Sequence, residues 1–378
     1  MNLFYDVYVD SNLEFVNKAV EFLEGEFGGP SGNVGWNDEL MLWKLSELNP
    51  AGRGILAVAV IEGKVVGTAS MTRKRMILDG VEIIGGEIGD TYSAEKIRRL
   101  AKPNELISTN KDASHYINKS IFGRLVSEII NTASKLELQY IYGTPNHNSL
   151  PGYVKKLNFI EIQGYKNVSR SRPTSVFIRN YHPLPKSILK VCVSIITKMS
   201  RFYRLLILRV FKPSNLTVQS SFPLDEEIDT LWRSCMPTRG FALVRDSKYY
   251  NYRFQDHPIK KYNSHSFYLD GQLACILISC IKKDDSGNDI FVICDYLTNN
   301  QINFLYVINY IIDAHSHLPI LKYNFWCEKY GKDFFCAFFS GFIGGSSVPI
   351  IFFDSTKDSE LMRSTLEMDF HLASSDNI

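Results

Sequence analysis

The sequence predicts an α/β (α+β) protein built from two copies of one mixed-sheet unit, related by pseudo-two-fold symmetry. Segments rich in β-branched and aromatic residues alternate with segments of helical apolar spacing along most of the chain. The same order of elements occurs twice, and a basic helix flanked by prolines separates the two copies. We therefore expect a first domain at 1–183, a helical connector at 184–216 and a second domain at 217–378.

The first copy begins with a β-hairpin that turns at Glu62-Gly63. A glycine-rich strand follows, and then a helix whose apolar residues recur at three- and four-residue spacing. A short strand and a short helix complete the unit. In order, the predicted elements are strands 55–61, 65–72 and 81–92, helix 120–136, strand 138–143 and helix 149–157.

The second copy repeats this order around a hairpin turn at Asp270-Gly271. Its strands also alternate with helices, which implies a partly parallel sheet in each copy. After the hairpin at 265–281, the predicted elements are strand 290–296, helix 302–314, strand 320–327, helix 331–340 and strand 348–353.

The chain has 378 residues, 45% of them hydrophobic, and a formal net charge of +2. A near-neutral charge lacks the broad basic surface that nucleic acid requires, so we expect no nucleic-acid partner. The seven cysteines include no C-x-x-C pair, and we expect reduced core thiols rather than disulfides or a metal site. The N-terminus has no basic segment followed by an apolar one, so we expect a cytoplasmic protein.

The apolar segment 187–212 is interrupted by lysines and arginines. A spanning helix needs about 20 mostly apolar residues, so this segment is predicted not to span a membrane. Two hypotheses remain for it: a basic amphipathic helix that makes peripheral contact with a membrane surface, or a helix that packs between the two domains. We favour packing, because many of its residues are typical of a protein core.

The segment 140–161 predicts a strand, a polar turn, a short helix and a new strand. Gly143 and Pro145 end the strand, and Tyr153 lies at helical spacing with apolar neighbours. This pattern, with the sequence K-K-L-N-F at 155–159, resembles the end of the acyl-CoA-binding fold of the GNAT N-acyltransferase superfamily. The resemblance implies two GNAT-like halves, an acyl-CoA co-substrate and Tyr153 as the acid for the departing thiolate; core packing is the other explanation for this tyrosine.

The strand at 82–93 contains three glycines, and in the GNAT superfamily such a strand lies beside the acyl-thioester and supplies a general base. Glu87 and Asp90 are the candidates, on opposite faces of a regular strand unless a bulge intervenes. An ammonium nucleophile must lose a proton before it attacks, which calls for a nearby carboxylate. We predict Asp90 as that base; its structural alternative is to cap the turn after the strand.

Relatives have a glycine-rich loop before the next helix, approximately Y-R-G-K-G-I-F, whose backbone amides hold the pyrophosphate of coenzyme A. Here residues 116–122 are Y-I-N-K-S-I-F, without the glycines and the arginine. Asparagine still permits a left-handed conformation and serine can cap the helix. The resemblance assigns the coenzyme contacts to Tyr92, Asn118, Lys119, Ser120, Ile121, Asn146 and Asn148.

The segment 242–258 has more aromatic and polar residues than a core helix needs. It resembles the signature V-R-D-x-x-Y-L-N-W-R-Y-x-x-H-P of tandem-GNAT sugar N-acyltransferases encoded with bacterial surface-polysaccharide genes, with Tyr252 in place of the tryptophan. Arginine beside tyrosines suits a nucleotide diphosphate, whereas packing on the sheet is the plain alternative. The resemblance assigns the substrate contacts to Arg245, Tyr249, Tyr252, Arg253 and His257.

Within that group the chain is most similar to the N-acyltransferase family of the anthrose pathway. The resemblance implies transfer of an acetyl or 3-hydroxyacyl group, such as 3-hydroxybutyryl, from coenzyme A to the amino group of a dTDP-linked 4-amino-4,6-dideoxy sugar, without a metal. Asp295 mirrors Asp90 in the second copy, but the following segment 297–304 contains no glycine and no basic residue, so we expect this copy to form the other wall of one shared site. The alternatives are an aminoglycoside-like or peptide amine as acceptor, and a non-catalytic GNAT-like scaffold.

Overall fold

Two mixed β-sheets, one mainly from each half of the sequence, form the framework of the chain in its computed structural model. The predicted α/β class and the predicted pair of mixed-sheet halves are confirmed. The structure describes residues 3–9, 13–27, 37–97, 101–103, 120–138, 140–162, 165–171, 186–284, 286–328, 332–342, 346–354 and 368–369.

The first sheet has the strand order β5-β1-β2-β3-β4-β6-β15-β7, with the short strands β10 and β16 attached at β3. Its strands are β1 (Leu3–Val9), β2 (Ile55–Ile61), β3 (Lys64–Leu78), β4 (Val81–Ser93), β5 (Ala101–Pro103), β6 (Tyr140–Gly143), β7 (Ile160–Ile162), β10 (Phe241–Leu243), β15 (Ile350–Asp354) and β16 (Met368–Asp369). The helices of this half are α1 (Leu13–Phe27), α2 (Asp38–Leu45), α3 (Ile121–Lys135) and α4 (Leu150–Lys156).

The second sheet has the strand order β8-β14-β13-β12-β11-β9. Its strands are β8 (Tyr165–Ser171), β9 (Leu216–Gln219), β11 (Asn263–Leu269), β12 (Gln272–Lys283), β13 (Asp289–Thr298) and β14 (Lys322–Glu328). The remaining helices are α5 (Lys186–Val210), α6 (Asp225–Cys235), α7 (Ser247–Tyr250), α8 (Phe304–Ala314) and α9 (Lys332–Phe339), and a π-helical turn at Asn251–Gln255 continues α7.

The two sheets share one internal pattern, as the repeat in the sequence predicts. In the first, β2, β3 and β4 are antiparallel, and α3 crosses over to β6, which is parallel to β4. In the second, β11, β12 and β13 are antiparallel, and α8 crosses over to β14, which is parallel to β13. The apolar faces of α3 and α8 are buried in equivalent cores.

Each sheet is completed by a strand from the other half of the sequence. β15, late in the chain, lies between β6 and β7 of the first sheet, with Ile351 opposite Gly143. β8, from the first half, pairs with β14 of the second sheet, with Val168 opposite Phe325. The two halves therefore cannot separate without breaking both sheets, and the proposed boundaries at 183 and 217 stay a prediction.

Helix α5 lies within the predicted connector and packs beside α8, where Arg204 forms an ion pair with Asp313 and Ile207 is buried. Most of its other large apolar side chains are exposed. The favoured expectation that these residues pack between the domains is therefore wrong for most of them. Among the described residues, every helix is too short or too polar to cross a membrane.

Candidate functional site

A cavity of about 350 Å³ lies where the parallel strands β4 and β6 stop pairing. Their ladder ends at Glu87 and Tyr142, and β6 ends at Gly143, whereas β4 continues to Ser93. The cavity is lined by the continuing part of β4, the loop after β6, and Tyr153 of α4. The fold thus leaves a pocket at the strand that the sequence analysis singled out.

A β-bulge shapes the β4 wall of this cavity. Thr68 of β3 pairs with Tyr92 and Ser70 pairs with Gly89, so Asp90 and Thr91 both stand opposite a single residue of β3. Asp90 has a φ of 48°, a left-handed conformation that aspartate tolerates better than most residues. The bulge places an acidic residue at a strained backbone position beside a cavity, a combination that is typical of functional sites.

The bulge also places Glu87 and Asp90 on one face of the strand, the exception that the sequence analysis allowed for an irregular strand. Alternate residues of β3 share one face. Asp90 accepts a hydrogen bond from Ser70, and Glu87 forms an ion pair with Lys74 on that same face, at 3.1 Å. Asp90 borders the cavity, whereas Glu87 does not.

The Asp90 carboxylate is buried and compensated by a lysine. Its Oδ2 atom lies 2.8 Å from Lys44 Nζ and accepts a hydrogen bond from Ser70 Oγ at 2.6 Å. Its Oδ1 atom has no hydrogen-bond partner among the residues that the structure describes, and the side chain has 0% exposed surface. Sequence reasoning missed Lys44, because a single lysine in the short helix α2 carries no signal that it points inward.

Tyr153 lies on the other side of the bulge. Its hydroxyl is 2.8 Å from Thr91 Oγ1, and its ring packs edge-on against Phe122 and Phe159. Burial, followed by the charge of Asp90, raises the pKa of Tyr153 well above its ordinary value. The phenol therefore keeps its proton at neutral pH and is placed to donate a hydrogen bond rather than to act as a base.

The predicted coenzyme contacts are only partly brought together. Tyr92 and Asn146 line the cavity, whereas Asn148 is exposed outside it. Asn146 Oδ1 accepts hydrogen bonds from the backbone N–H groups of Asn148 and Ser149, so it also builds the turn before α4. Tyr92 donates a hydrogen bond to Glu26 of α1.

At the start of α3, Ser120 caps the helix as predicted, with its Oγ accepting from the N–H of Gly123 at 3.1 Å. The Ile121 side chain is buried in the core of the first half rather than presented to a ligand. Phe122, in the first turn, packs against Tyr153, which places the helix N-terminus beside the cavity. Asn118 and Lys119 lie outside the described residues.

Three of the five predicted substrate contacts surround Trp43 of α2. The ring of Tyr252 stacks on it at 4.4 Å, and the Tyr252 hydroxyl donates to the Trp43 carbonyl at 2.8 Å. The Arg253 guanidinium lies 5.7 Å from the indole, and the His257 ring lies at 4.7 Å. Because Lys44 follows Trp43 directly, this second-half segment holds the helix that delivers the counter-charge of Asp90.

The other two, Arg245 and Tyr249, lie around Asp295 in the second half. Arg245 is buried, 3.8 Å from Asp295 Oδ1, and donates to the carbonyl of Tyr296. Burial, followed by the negative charge of Asp295, raises the pKa of Tyr249. The five predicted residues therefore form two groups, and neither lines the Asp90 cavity.

A second, narrower crevice joins the signature segment to β3. It is lined by Tyr252 and Arg253 on one side and by Arg73 and Arg75 on the other. Its volume of about 30 Å³ is the space of roughly one water molecule, so a nucleotide would enter only after side-chain movement. Among the described residues, no group of three or more His, Cys, Asp or Glu side chains is placed to hold a metal ion.

No protein-family model and no curated protein matches the sequence. Solved structures do match its fold. A probable N-acyltransferase from Enterococcus faecalis has a TM-score of 0.59 at 12% identity, over 93% of this chain and 72% of its own. A GCN5-related N-acetyltransferase from Anabaena variabilis has a TM-score of 0.57 at 13% identity, over 92% of this chain and 72% of its own.

The Saccharomyces cerevisiae N-myristoyltransferase, solved with bound myristoyl-CoA, has a TM-score of 0.58 at 11% identity, over 92% of this chain and 82% of its own. Each match extends over both halves, so the duplicated architecture, and not a single unit, is what these structures share with the chain. The chain therefore has the fold of GNAT-type N-acyltransferases, with two such units in one polypeptide.

Proposed function

We propose that the chain is an acyl-CoA-dependent N-acyltransferase whose active site is the cavity at the β4 bulge. The observation that carries the proposal is the pair of groups on either side of the bulge: the buried carboxylate of Asp90 and the protonated phenol of Tyr153. The similarity of fold to N-acyltransferases, one of them solved with myristoyl-CoA, supports it.

The cavity suits the thioester end of an acyl donor. Its volume of about 350 Å³ falls within the usual size range of small-molecule sites. Gly89 lines it, and a Cβ atom at this glycine would meet no other atom within 4 Å. The backbone N–H groups at the start of α3 are available for phosphate oxygens, with the helix dipole favouring an anion there.

In the proposed reaction, the Asp90 carboxylate takes a proton from the ammonium form of the acceptor through one water molecule, because its side chain has no exposed surface. The free amine attacks the thioester carbonyl carbon, a C–N bond forms, and backbone amides at the bulge polarise the carbonyl oxygen. The C–S bond then breaks, and the sulfur leaves with the electron pair. Tyr153 protonates the thiolate, and the second proton lost by the nitrogen restores the phenol.

For the acceptor, we propose the amino group of a nucleotide-linked sugar, with a dTDP-linked 4-amino-4,6-dideoxy sugar as the first candidate and surface-polysaccharide synthesis as the process. The resemblance of 242–258 to tandem-GNAT sugar acyltransferases supports this choice. The arginines and tyrosine of the narrow crevice supply the charge and the ring that a nucleotide diphosphate requires. Acetyl-CoA and 3-hydroxybutyryl-CoA are the proposed donors.

The test is thiol release from both donors against dTDP- and UDP-linked amino sugars, an aminoglycoside and a peptide amine, with products identified by mass spectrometry. We expect release with one nucleotide sugar and its loss in Asp90→Asn. Glu161→Gln, at an exposed acid of the same sheet, is the control that should retain turnover. Release with a peptide or aminoglycoside alone would reassign the acceptor, and absence of coenzyme A binding by calorimetry would favour the scaffold function.

A further inference from the structure

We propose that helix α5 docks the protein onto an anionic lipid bilayer through an apolar stripe flanked by basic residues. The stripe consists of Ile188, Ile195, Met199, Phe202 and Leu206, which follow one another at spacings of seven, four, three and four residues. These spacings place all five on one line along a helix. Each is exposed, with Phe202 at 71% and Met199 at 66%.

The stripe is opposite the face by which α5 attaches to the protein. Arg204 and Ile207 are the buried residues of the helix among those whose side chains the structure describes. They lie two and five positions after Phe202, and so on the other side of the helix from it. Arg204 forms an ion pair with Asp313 of α8 at 3.0 Å. The helix is therefore fixed by its inner face while its most apolar face points to solvent, which is costly for a helix without a covering partner.

The positive charge of α5 indicates that the partner of its apolar face is anionic. Residues 187–212 include six lysines and arginines and no acidic residue, whereas the whole chain has 42 basic and 40 acidic residues. The rest of the chain therefore carries a net negative charge. Lys198 and Arg209 are exposed beside the stripe, so the apolar face is bordered by cations that an anionic surface would neutralise.

A second copy of the chain fits this face less well. Two copies related by a two-fold axis would bring the same basic residues towards each other, with no acidic residue on the helix to compensate them. A bilayer of anionic lipid covers the apolar stripe and pairs with its flanking cations at once. At 25 residues the helix is about 37 Å long, and it would lie flat in the interface rather than cross it.

A second helix near α5 also has exposed aromatic residues. Arg170 donates one hydrogen bond to Ser200 of α5 and another to the carbonyl of Ser340, just after α9, so this side chain links α5 to the end of α9. The exposed aromatic residues of α9 are Phe335, Phe338 and Phe339.

The test is vesicle flotation of the full chain. Wild-type protein should float with phosphatidylcholine vesicles that contain phosphatidylglycerol, and remain unbound with phosphatidylcholine alone. The triple variant Met199→Asp, Phe202→Asp and Leu206→Asp should lose binding. The double variant Lys198→Gln and Arg209→Gln should lower the partition coefficient on the order of thirtyfold and weaken its salt dependence.

The matched control is Leu48→Asp with Leu224→Asp, two side chains of similar exposure outside α5, at 76% and 72%. This control should bind vesicles as wild type does, and thermal unfolding should show that every variant is folded. Absence of flotation with anionic vesicles would overturn the proposal. So would a concentration-dependent dimer in analytical ultracentrifugation that the aspartate triple variant dissociates, because the stripe would then be buried by a second copy.

Discussion

The two halves share a fold but differ at the equivalent point in each sheet. β4 of the first sheet and β13 of the second occupy equivalent positions. Each contains a bulge beside an aspartate, Asp90 in β4 and Asp295 in β13. In the first half a cavity opens beside that aspartate. In the second, Arg245 is buried against Asp295, and the Tyr296 ring stacks on Phe304 while its hydroxyl donates to Asp333.

This difference teaches that the duplicated fold fixes the position of the acid, whereas the surrounding side chains decide whether it serves a site. The counter-charge of Asp90 comes from a lysine on a separate helix, α2, and leaves a cavity at the bulge. The guanidinium near Asp295 comes from Arg245, two residues after the end of β10, and aromatic rings occupy the adjoining space. We infer that the second half stabilises the first rather than duplicating its chemistry.

The largest expected effect concerns the buried pair of the first half. Lys44→Met should lower the free energy of unfolding by about 3–5 kcal/mol, because it leaves the Asp90 carboxylate buried without its counter-charge. Adding Asp90→Asn to this variant should restore part of the loss. Denaturant unfolding of the two single variants and the double variant measures the coupling; additive losses would show that the two groups do not stabilise each other.

The stability of the second half should depend on pH through His265 of β11. Burial, followed by the charge of His315, lowers the pKa of His265 to about 4. Between pH 6.5 and 4 the unfolded chain therefore binds a proton that the folded chain does not, and stability falls as pH decreases through this window. From pH 7 to pH 4.5, wild type should lose about 2–3 kcal/mol more than His265→Gln in urea unfolding. His317→Gln, at an exposed histidine, should behave as wild type.

Substitutions at two glycines of β4 should show which glycine is required for packing and which lines the cavity. A Cβ atom on Gly85 would lie 2.5 Å from the carbonyl oxygen of Tyr140, so Gly85→Ala should cost about 1–3 kcal/mol of stability. A Cβ atom on Gly89 meets open space, so Gly89→Ala should leave the melting temperature nearly unchanged. Equal thermal shifts in the two variants would contradict the assignment of Gly89 to the cavity wall.

The smallest loss of stability is expected at the contact between the second half and α2. Tyr252→Phe removes the hydrogen bond to the Trp43 carbonyl and keeps the stacked rings, so it should cost about 1 kcal/mol of stability. Equilibrium unfolding and steady-state kinetics would be measured on the same variant. A rise in KM for the nucleotide sugar without a stability change would instead assign Tyr252 to direct substrate binding.

Local patterns in the sequence predicted most elements, because amphipathic spacing and turn residues act over short distances. The helix expected at 120–136 is α3, and Ser120 caps it. The strand expected at 348–353 is β15, yet its membership of the first sheet was not predictable, since a buried strand has the same pattern in either sheet. The exchange of strands between the two sheets depends on pairing between segments that are far apart in the sequence. A local pattern of residues does not indicate such pairing.

The site was predictable only in part for the same reason. An acid in an apolar, glycine-rich strand pointed to Asp90, but the bulge that turns it towards Ser70 and Lys44 has no sequence signature here. The segment 242–258 was recognised, although the structure uses three of its residues around Trp43. Helix α5 shows the opposite error of prediction. Most of its residues are of types typical of a core, yet they are exposed, because the spacing of apolar residues does not indicate whether another surface covers them.

The most direct test of the difference between the halves is a calorimetric titration of acetyl-CoA into the wild-type chain and into Gly89→Leu, whose side chain would project into the cavity. We predict one binding site per chain in wild type and none in the variant, with both proteins equally stable. Two sites per chain would contradict the proposed difference between the halves. One site that Gly89→Leu leaves unchanged would show that the first-half cavity does not hold the acyl donor as proposed.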